Sequence, residues 1–307
     1  MDTPRVLDIC CGGGYLSKGF QDAGFEIDGG VDNWRTAIRT FNKYIKAPGK
    51  LVDINDFFPT KKDYDIIIVG ATPCQDFSRA NTKRNIFSKR SQLVLDFCRI
   101  VEAVQPEAFV FENVIHLAKW AETALFEIKG YNVTKNILDA VDYEVPQRRR
   151  RKIFIGSRRR HIAMTAPDNA QILTVRDAFS NMEENWGFTK HRQETIEKFS
   201  EVKATSWISK EPTSDYQGTI RLAWDAPSCA ITNVKKAQIL HPDEDRVISI
   251  AEAMALQGIP EWYIPEGGGV EKAMQVANAV PPKLAYHIAS RIRKILATES
   301  SLRNFLG

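Results

Sequence analysis

The segment RVLDICCGGGYLS, residues 5–17, runs from strand-forming residues through three glycines into a helical pattern. Residues 5–9 predict a strand, and Gly12-Gly13-Gly14 predict a turn, because glycine reaches backbone angles closed to other residues. Leu16, Phe20 and Ala23 then recur at helical spacing as far as Gly24. In open parallel sheets, ligands sit where strands end, so this turn is a candidate ligand loop.

The alternation continues along the chain. Residues 25–31 read as a strand, 34–41 as a helix and 50–54 as a short strand. Residues 65–70, DIIIVG, read as a fully buried strand. Ser91 is predicted to cap a helix with Leu95, Cys98, Ile100 and Val101 on its inner side, ending near Gln105-Pro106. Residues 108–111 (AFVF) predict another strand and 117–129 a helix closed by Gly130. Segments 131–138 and 152–156 complete the set. Such alternation predicts an α/β fold with a doubly wound, mostly parallel sheet. The pattern breaks after Ser157. Residues 158–245 are polar with scattered tryptophans, and predict a small second domain of loops and short strands. Order returns with a short helix at 248–256. A last helix follows Pro281-Pro282, with Ala285, Ile288, Ala289, Ile292, Ile295 and Leu296 on one apolar face. The expected division is 1–157, 158–245 and 246–307, the last segment returning to the first domain.

At 307 residues the chain can bury a sizeable core, and its 43% hydrophobic and 26% charged residues are those of an ordinary globular protein. No run of eighteen apolar residues and no signal-peptide pattern is present, so no membrane association is expected and the reading is cytoplasmic or nuclear, with the cytoplasm preferred. Five cysteines, two of them adjacent and none in C-x-x-C, argue against a disulfide framework and a zinc site. The net charge of +4 decides little, but Arg/Lys residues at 148–152 and 158–160 cluster with only Asp142 and Glu144 nearby. That cluster suits a polyanion partner, or equally a solvated charged face.

Asp32 ends the second predicted strand and Asp53 the third. A carboxylate at the second strand end commonly takes ribose hydroxyls, so a nucleoside cofactor is expected. Ser17 stands where the dinucleotide fingerprint needs a small residue, so NAD and a purely structural turn both stay open on this motif alone. Pro73-Cys74-Gln75 follows the strand at 65–70, and Glu112-Asn113-Val114 follows the strand at 108–111. A lone cysteine is usually inert and a lone glutamate usually solvated. At two adjacent strand ends beside a cofactor loop, they read as a nucleophile with an acid.

Taken in order, these motifs resemble the C5-cytosine DNA methyltransferases of bacterial or phage type, over nearly the whole chain. D-I-C-C-G-G-G-Y-L-S is similar to the family's cofactor loop, P-C-Q to its nucleophile motif and E-N-V to its glutamate motif. Residues 146–151 are similar to the Q-x-R-x-R block, 246–258 to the helix after the recognition domain, and Asn278-Ala279-Val280-Pro281-Pro282 to the closing N-x-V-x-P element. The resemblance implies a Rossmann-like S-adenosylmethionine-dependent fold, a small target-recognition domain and a monomer acting on double-stranded DNA. Cys74, Glu112, Asn113 and Arg151 would be catalytic. Asp8, Cys10, Gly12, Gly14, Asp32, Asn33, Asp53, Ile54, Asn278 and Val280 would hold the cofactor. Gln75, Ser78, Arg79, Lys83, Arg84 and Arg149 would meet DNA; the length and positive charge of 76–90 suit a mobile lid, or equally a disordered surface loop. Departures lie at Cys10, where the family usually has phenylalanine, at Tyr15 and Ala277, where it has glycine, and at Asn33. The resemblance further suggests a modification enzyme, with a cognate restriction endonuclease as a partner the residues do not specify. A transfer-RNA methylating member and an inactive DNA-binding module are the competing readings.

Overall fold

A computed structural model describes residues 3–59, 66–69, 92–180, 182–204, 219–232, 234 and 239–306. Two compact units are present, and neither is a single stretch of chain. The first gathers Met1–Leu138, Arg150–Thr165 and Leu284–Gly307, and the second Asp139–Arg149 and Ala166–Lys283.

The first unit is built on β1 (Arg5–Ile9), α1 (Tyr15–Asp22), β2 (Glu26–Asp32), α2 (Arg35–Tyr44) and β3 (Gly49–Leu51). A 3-10 turn at Ile54–Asp56 follows, then β4 (Ile66–Val69), α3 (Leu93–Val104), β5 (Ala108–Val114), α4 (Lys119–Phe126), β6 (Asn132–Asp139) and β7 (Arg150–Ser157). The strands form one seven-stranded sheet in the order β3-β2-β1-β4-β5-β7-β6. From β3 to β5 every neighbouring pair is parallel. β7, however, runs antiparallel to β5. The segment between Asp139 and Arg150 holds only a 3-10 turn, Ala140–Tyr143, and a chain without a crossover helix cannot return parallel. The reversal matters for the site, because it brings the start of β7 to the carboxyl end of β5.

Hydrophobic burial explains the elements. Val6 and Ile9 of β1 and Ala108 to Phe111 of β5 are fully buried, as expected of a sheet covered on both faces. Phe97 of α3 packs its ring 5.1 Å from Phe111 and 5.7 Å from Phe109. Leu93, Val94, Phe97, Ile100, Val101 and Val104 form the inner face of α3. Leu95, expected among them, is 48% exposed. At about 100° per residue it rotates off the stripe that Val94 and Phe97 occupy. The Ser91 cap lies outside the described residues.

In the second unit follow α5 (Val175–Ser180), α6 (Gln193–Ser200), β8 (Ile220–Arg221), β9 (Ile239–Leu240), α7 (Ile250–Leu256) and α8 (Gly269–Asn278). β8 and β9 pair in parallel. Arg221 knits this unit together, its guanidinium donating to the carbonyls of Val202, Phe199 and His241 and to Asp245. Helix α7 starts later than expected because Ser249 caps it, with Glu252 completing a reciprocal capping box. Helix α8 has no counterpart in the sequence reading. Its first turn contains Gly269, and three glycines precede Val270, so the segment carries a loop signature.

The last helix, α9 (Pro282–Leu306), carries the expected stripe: Leu284, Ala285, Ile288, Ala289 and Ile292 are fully buried, Ile295 nearly so, and Leu296 half-buried. Arg293 of α9 donates to the Ala23 carbonyl at 2.8 Å, closing the end of α1 within the first unit. Among the described residues, no helix is long and apolar enough to cross a membrane.

Candidate active site

Three of the five residues from Cys10 to Gly14 are left-handed: Cys10 (φ 57°), Gly12 (φ 53°) and Gly14 (φ 83°). Together they reverse the chain from β1 into α1, with Gly14 in the capping position. A left-handed cysteine is strained by roughly 1–3 kcal/mol, a cost that functional loops commonly carry. Cys11 N–H donates to the Val31 carbonyl and Gly14 N–H to the Cys11 carbonyl, which fixes the turn against β2. A Cβ built on Gly12 meets nothing within 4 Å, so the backbone there faces open space.

Asp32, at the end of β2, accepts from Gly12 N–H at 2.9 Å and from Trp34 N–H at 2.8 Å. Burial pushes its carboxyl up, and the N–H groups of Trp34, Gly12 and Asn33 pull it back. Contrary to expectation, Asp53 does not end a strand; β3 stops at Leu51, and Asp53 caps the 3-10 turn by accepting from Asn55 N–H. Asn33 Nδ2 donates to Asp53 at 2.8 Å, so these two expected site residues meet although twenty positions separate them. Asp8 is fully buried and accepts from the Ser17 hydroxyl. Ser17, which reads from sequence as a defect in a glycine fingerprint, is thus a partner for a buried acid. Ile54 is 4% exposed and packs into the main core. Asp8, Cys10, Gly12, Gly14, Asp32, Asn33, Asp53 and Ile54 therefore line the carboxyl ends of β1, β2 and β3. Burial, then the charges of Asp32, Asp8 and Asp53, pushes the Cys10 thiol well up, which makes it a poor nucleophile.

The second cluster lies at the end of β5. In the antiparallel ladder Glu112 faces Ile153, Asn113 faces Lys152 and Val114 faces Arg151. Residues two apart share a face, so Arg151 is the diagonal neighbour of Glu112, within reach of a long side chain. Arg151 Nε indeed lies 2.9 Å from Glu112 Oε1, with side-chain exposures of 13% and 3%. Asn113 is fully buried and accepts from Val114 N–H at 2.8 Å. On the opposite face Lys152 and Lys135 both bind Glu122 of α4, and Lys152 also reaches the Leu117 carbonyl. Burial raises the Glu122 carboxyl, but the two lysines outweigh it and hold the group below the ordinary carboxylate range. Sequence reading missed this triad, since nothing in the spacing of 122, 135 and 152 announces it.

Strand β4 ends at Val69, in register between Ile9 of β1 and Phe111 of β5. The end of β4 thus falls between the glycine loop and the Glu112–Arg151 pair. Cys74 follows five residues later in the chain, and with Gln75, Ser78, Arg79, Lys83 and Arg84 it lies outside the described residues.

In the second unit, Arg149 departs from expectation. Instead of facing phosphate it is 3% exposed, and its guanidinium donates to the carbonyls of Ile231 (2.9 Å) and Ala277 (3.0 Å). Gln147, fully buried, donates to the Leu256 carbonyl and to Gln257, and accepts from Ile231 N–H. Gln257 in turn donates to the Val276 carbonyl. The Q-x-R half of the arginine block thus ties α7 and the end of α8 together. Asn278 is the exposed last residue of α8, and Val280 is buried just beyond it. Among the described residues no group of three or more His, Cys, Asp or Glu could hold a metal ion.

Comparison with known proteins matches residues 4–294 to the family model for C-5 cytosine-specific DNA methylase. The chain is 31% identical to the type II methyltransferase M.HgiDI of Herpetosiphon aurantiacus, over 95% of each protein. It is 30% identical to the type II methyltransferase M.HindV of Haemophilus influenzae, over 94% of this chain and 96% of that one. Among solved structures, a putative DNA modification methyltransferase encoded within an Escherichia coli prophage superposes with a TM-score of 0.79 at 21% identity, over 96% of this chain and all of that one. The Dnmt2 methyltransferase of Schizosaccharomyces pombe superposes at 0.70 with 18% identity, over 96% and 99%. At these identities the two structures speak for the fold alone.

Proposed function

The chain belongs to the C-5 cytosine-specific DNA methylase family, and we propose that Cys74, Glu112, Asn113 and Arg151 carry its reaction on a cytosine in double-stranded DNA. The observation that bears most weight is the Glu112–Arg151 pair at 2.9 Å, at the sheet edge where β4 ends five residues before Cys74.

Carbon 5 of cytosine is a poor nucleophile. Addition of the Cys74 thiolate to carbon 6 forms an S–C bond and pushes an electron pair toward N3, leaving carbon 5 as an enamine carbon. Glu112 is the acid that meets N3. Arg151 holds a Glu112 carboxyl oxygen in place. Asn113, buried behind it, fixes the strand end. S-adenosylmethionine supplies an electrophilic methyl on its sulfonium. Once carbon 5 has taken the methyl, N3 returns its proton to Glu112; the carbon 5 proton then passes to water, and its bonding pair expels the sulfur, breaking the S–C bond and restoring the thiolate. A stacked base hides both ring faces, so the nucleotide must first leave the helix, at a cost of a few kcal/mol. Arg79, Lys83 and Arg84 are the proposed phosphate contacts in that step, with Gln75 and Ser78.

The residues of the first unit fit the cofactor. The open backbone at Gly12 and the N–H groups at the start of α1 suit a carboxylate. Asp32 and Asp53 have acceptor capacity to spare for ribose hydroxyls and the adenine amino group. Asp8 and Cys10 support the loop, Asn33 steadies Asp53, and Ile54 offers an apolar face. The sheet order reverses between β1 and β4, which supports reading it as a Rossmann-like, doubly wound sheet with its site at the switch point. The second unit is proposed as the target-recognition domain, and type II relatives support a role in modification.

DNA carrying 5-fluorocytosine tests the mechanism, because fluorine on carbon 5 cannot leave as a proton. A covalent protein–DNA complex is expected with wild type plus S-adenosylmethionine, and none with Cys74→Ser. Wild-type protein that methylates DNA yet never forms the complex overturns the covalent reading.

A further inference from the structure

We propose that Arg99 of α3 is a positioning residue that sets the adenosine end of the cofactor site. The proposal rests on the assignment of Asp53 and Ile54 to that end.

The turn that presents these two residues is intrinsically weak. It is a single 3-10 turn of three residues, a geometry with poor hydrogen bonds that seldom holds alone. Its own backbone bonds are Asp56 N–H to the Asp53 carbonyl (3.0 Å) and Phe57 N–H to the Ile54 carbonyl (3.2 Å), beside the Asp53 side chain that accepts from Asn55 N–H. Asn55 and Asp56 are exposed, and Phe58 beyond them is 72% exposed. Burial holds the segment through Ile54, with Val52 and Phe57 only partly buried against the same core.

Arg99 supplies what the turn lacks. Its Nη2 donates to the Ile54 carbonyl at 3.0 Å and its Nη1 to the Phe57 carbonyl at 3.1 Å, bracketing the turn from both ends. Asp96, three residues earlier on the same helix, accepts from Nε (3.3 Å) and Nη2 (3.1 Å), which fixes the plane of the guanidinium. The Phe58 ring covers the group at 4.4 Å from its centroid. Two carbonyls, one carboxylate and one ring are thus satisfied by a single planar fork. Lysine, a point donor on a flexible stem, cannot reproduce that geometry.

A loop ordered before its ligand arrives loses less freedom on binding, and the gain appears as affinity. Arg99 therefore acts on cofactor binding and not on the chemistry at Glu112. Hydrogen exchange on the free protein gives the first readout: in Arg99→Met the amides of Asp56 and Phe57 should exchange at least tenfold faster, with β5 amides unchanged. Calorimetry with S-adenosylhomocysteine gives the second. Arg99→Met should raise Kd about tenfold, equivalent to about 1.4 kcal/mol, and Arg99→Lys should restore only part of it. Phe58→Ser, at an exposed ring whose loss leaves the core intact, should raise Kd about threefold. The kcat at saturating S-adenosylmethionine and the Kd for DNA should stay within twofold of wild type. Unchanged cofactor Kd in Arg99→Met and Phe58→Ser overturns the proposal, as does a parallel loss of DNA binding and kcat. Wild-type protein that binds no S-adenosylhomocysteine overturns the cofactor assignment itself, and the proposal with it.

Discussion

Replacing Arg151 by methionine should cost more stability than replacing its partner Glu112 by glutamine. Removing one member of a buried pair and stranding the other typically costs roughly 3–5 kcal/mol. Here the lower end applies, about 3 kcal/mol, because the Arg151 side chain is 13% exposed and water can follow its departure toward the carboxylate. Glu112→Gln leaves a cation with a route to solvent and an amide oxygen still able to accept, so the loss should be about 1 kcal/mol. The double variant has neither stranded charge nor pair, and should fall near Glu112→Gln alone. The expected coupling is therefore about 3 kcal/mol, measured by urea unfolding of the four proteins as a double-mutant cycle. Each kcal/mol shifts the melting temperature by roughly 2–4 °C for a unit of this size, so Arg151→Met should melt about 6–12 °C lower. The coupling should survive 0.5 M salt, since buried pairs are weakly screened. Strictly additive losses, with coupling below about 0.5 kcal/mol, would refute the view that the two side chains form one unit.

Two further outcomes are expected. The Glu122 carboxyl is depressed in the folded state, so its stabilisation is complete above the unfolded value of about 4.3 and is lost as pH falls through the lower folded value. Urea midpoints from pH 7 to 3 should fall more steeply for wild type than for Glu122→Gln, and parallel curves would contradict this. Burial pushes Cys10, Cys11, Cys98 and Cys229 up, the last two to about 12, so these thiols should resist iodoacetamide at pH 7.5. Mass spectrometry of the native protein should find alkylation at Cys74 alone, with loss of activity; modification at Cys10 first would refute the contrast.

What sequence could and could not reveal follows from the range of the forces involved. The apolar runs of β1, β4 and β5 and the stripe on α9 are local patterns, and each yields its element directly. The stripe on α3 also reads correctly apart from Leu95, which a one-residue rotation exposes. The direction of β7 is harder, since apolar composition marks a strand but not its orientation; the missing crossover helix before Arg150 was the available clue. Arg149 misleads for another reason. Five consecutive cations from Arg148 to Lys152 look alike in sequence, yet Arg149 is spent on two buried carbonyls, Arg151 on Glu112 and Lys152 on Glu122. Only tertiary contacts sort them. The meeting of Asn33 with Asp53, and of Ser17 with Asp8, likewise depends on strand neighbours that sequence order does not specify.

The docking of α9 has a consequence for how the protein is made. The Arg293–Ala23 bond joins positions 270 apart, and fully buried side chains from Leu284 to Ile292 complete a unit begun near the first residue. On the ribosome, everything up to α9 must therefore emerge before that unit can close, and until then the surfaces that bury Leu284 to Ile292 stay uncovered. Prematurely terminated products should be sticky substrates for chaperones, not smaller working enzymes.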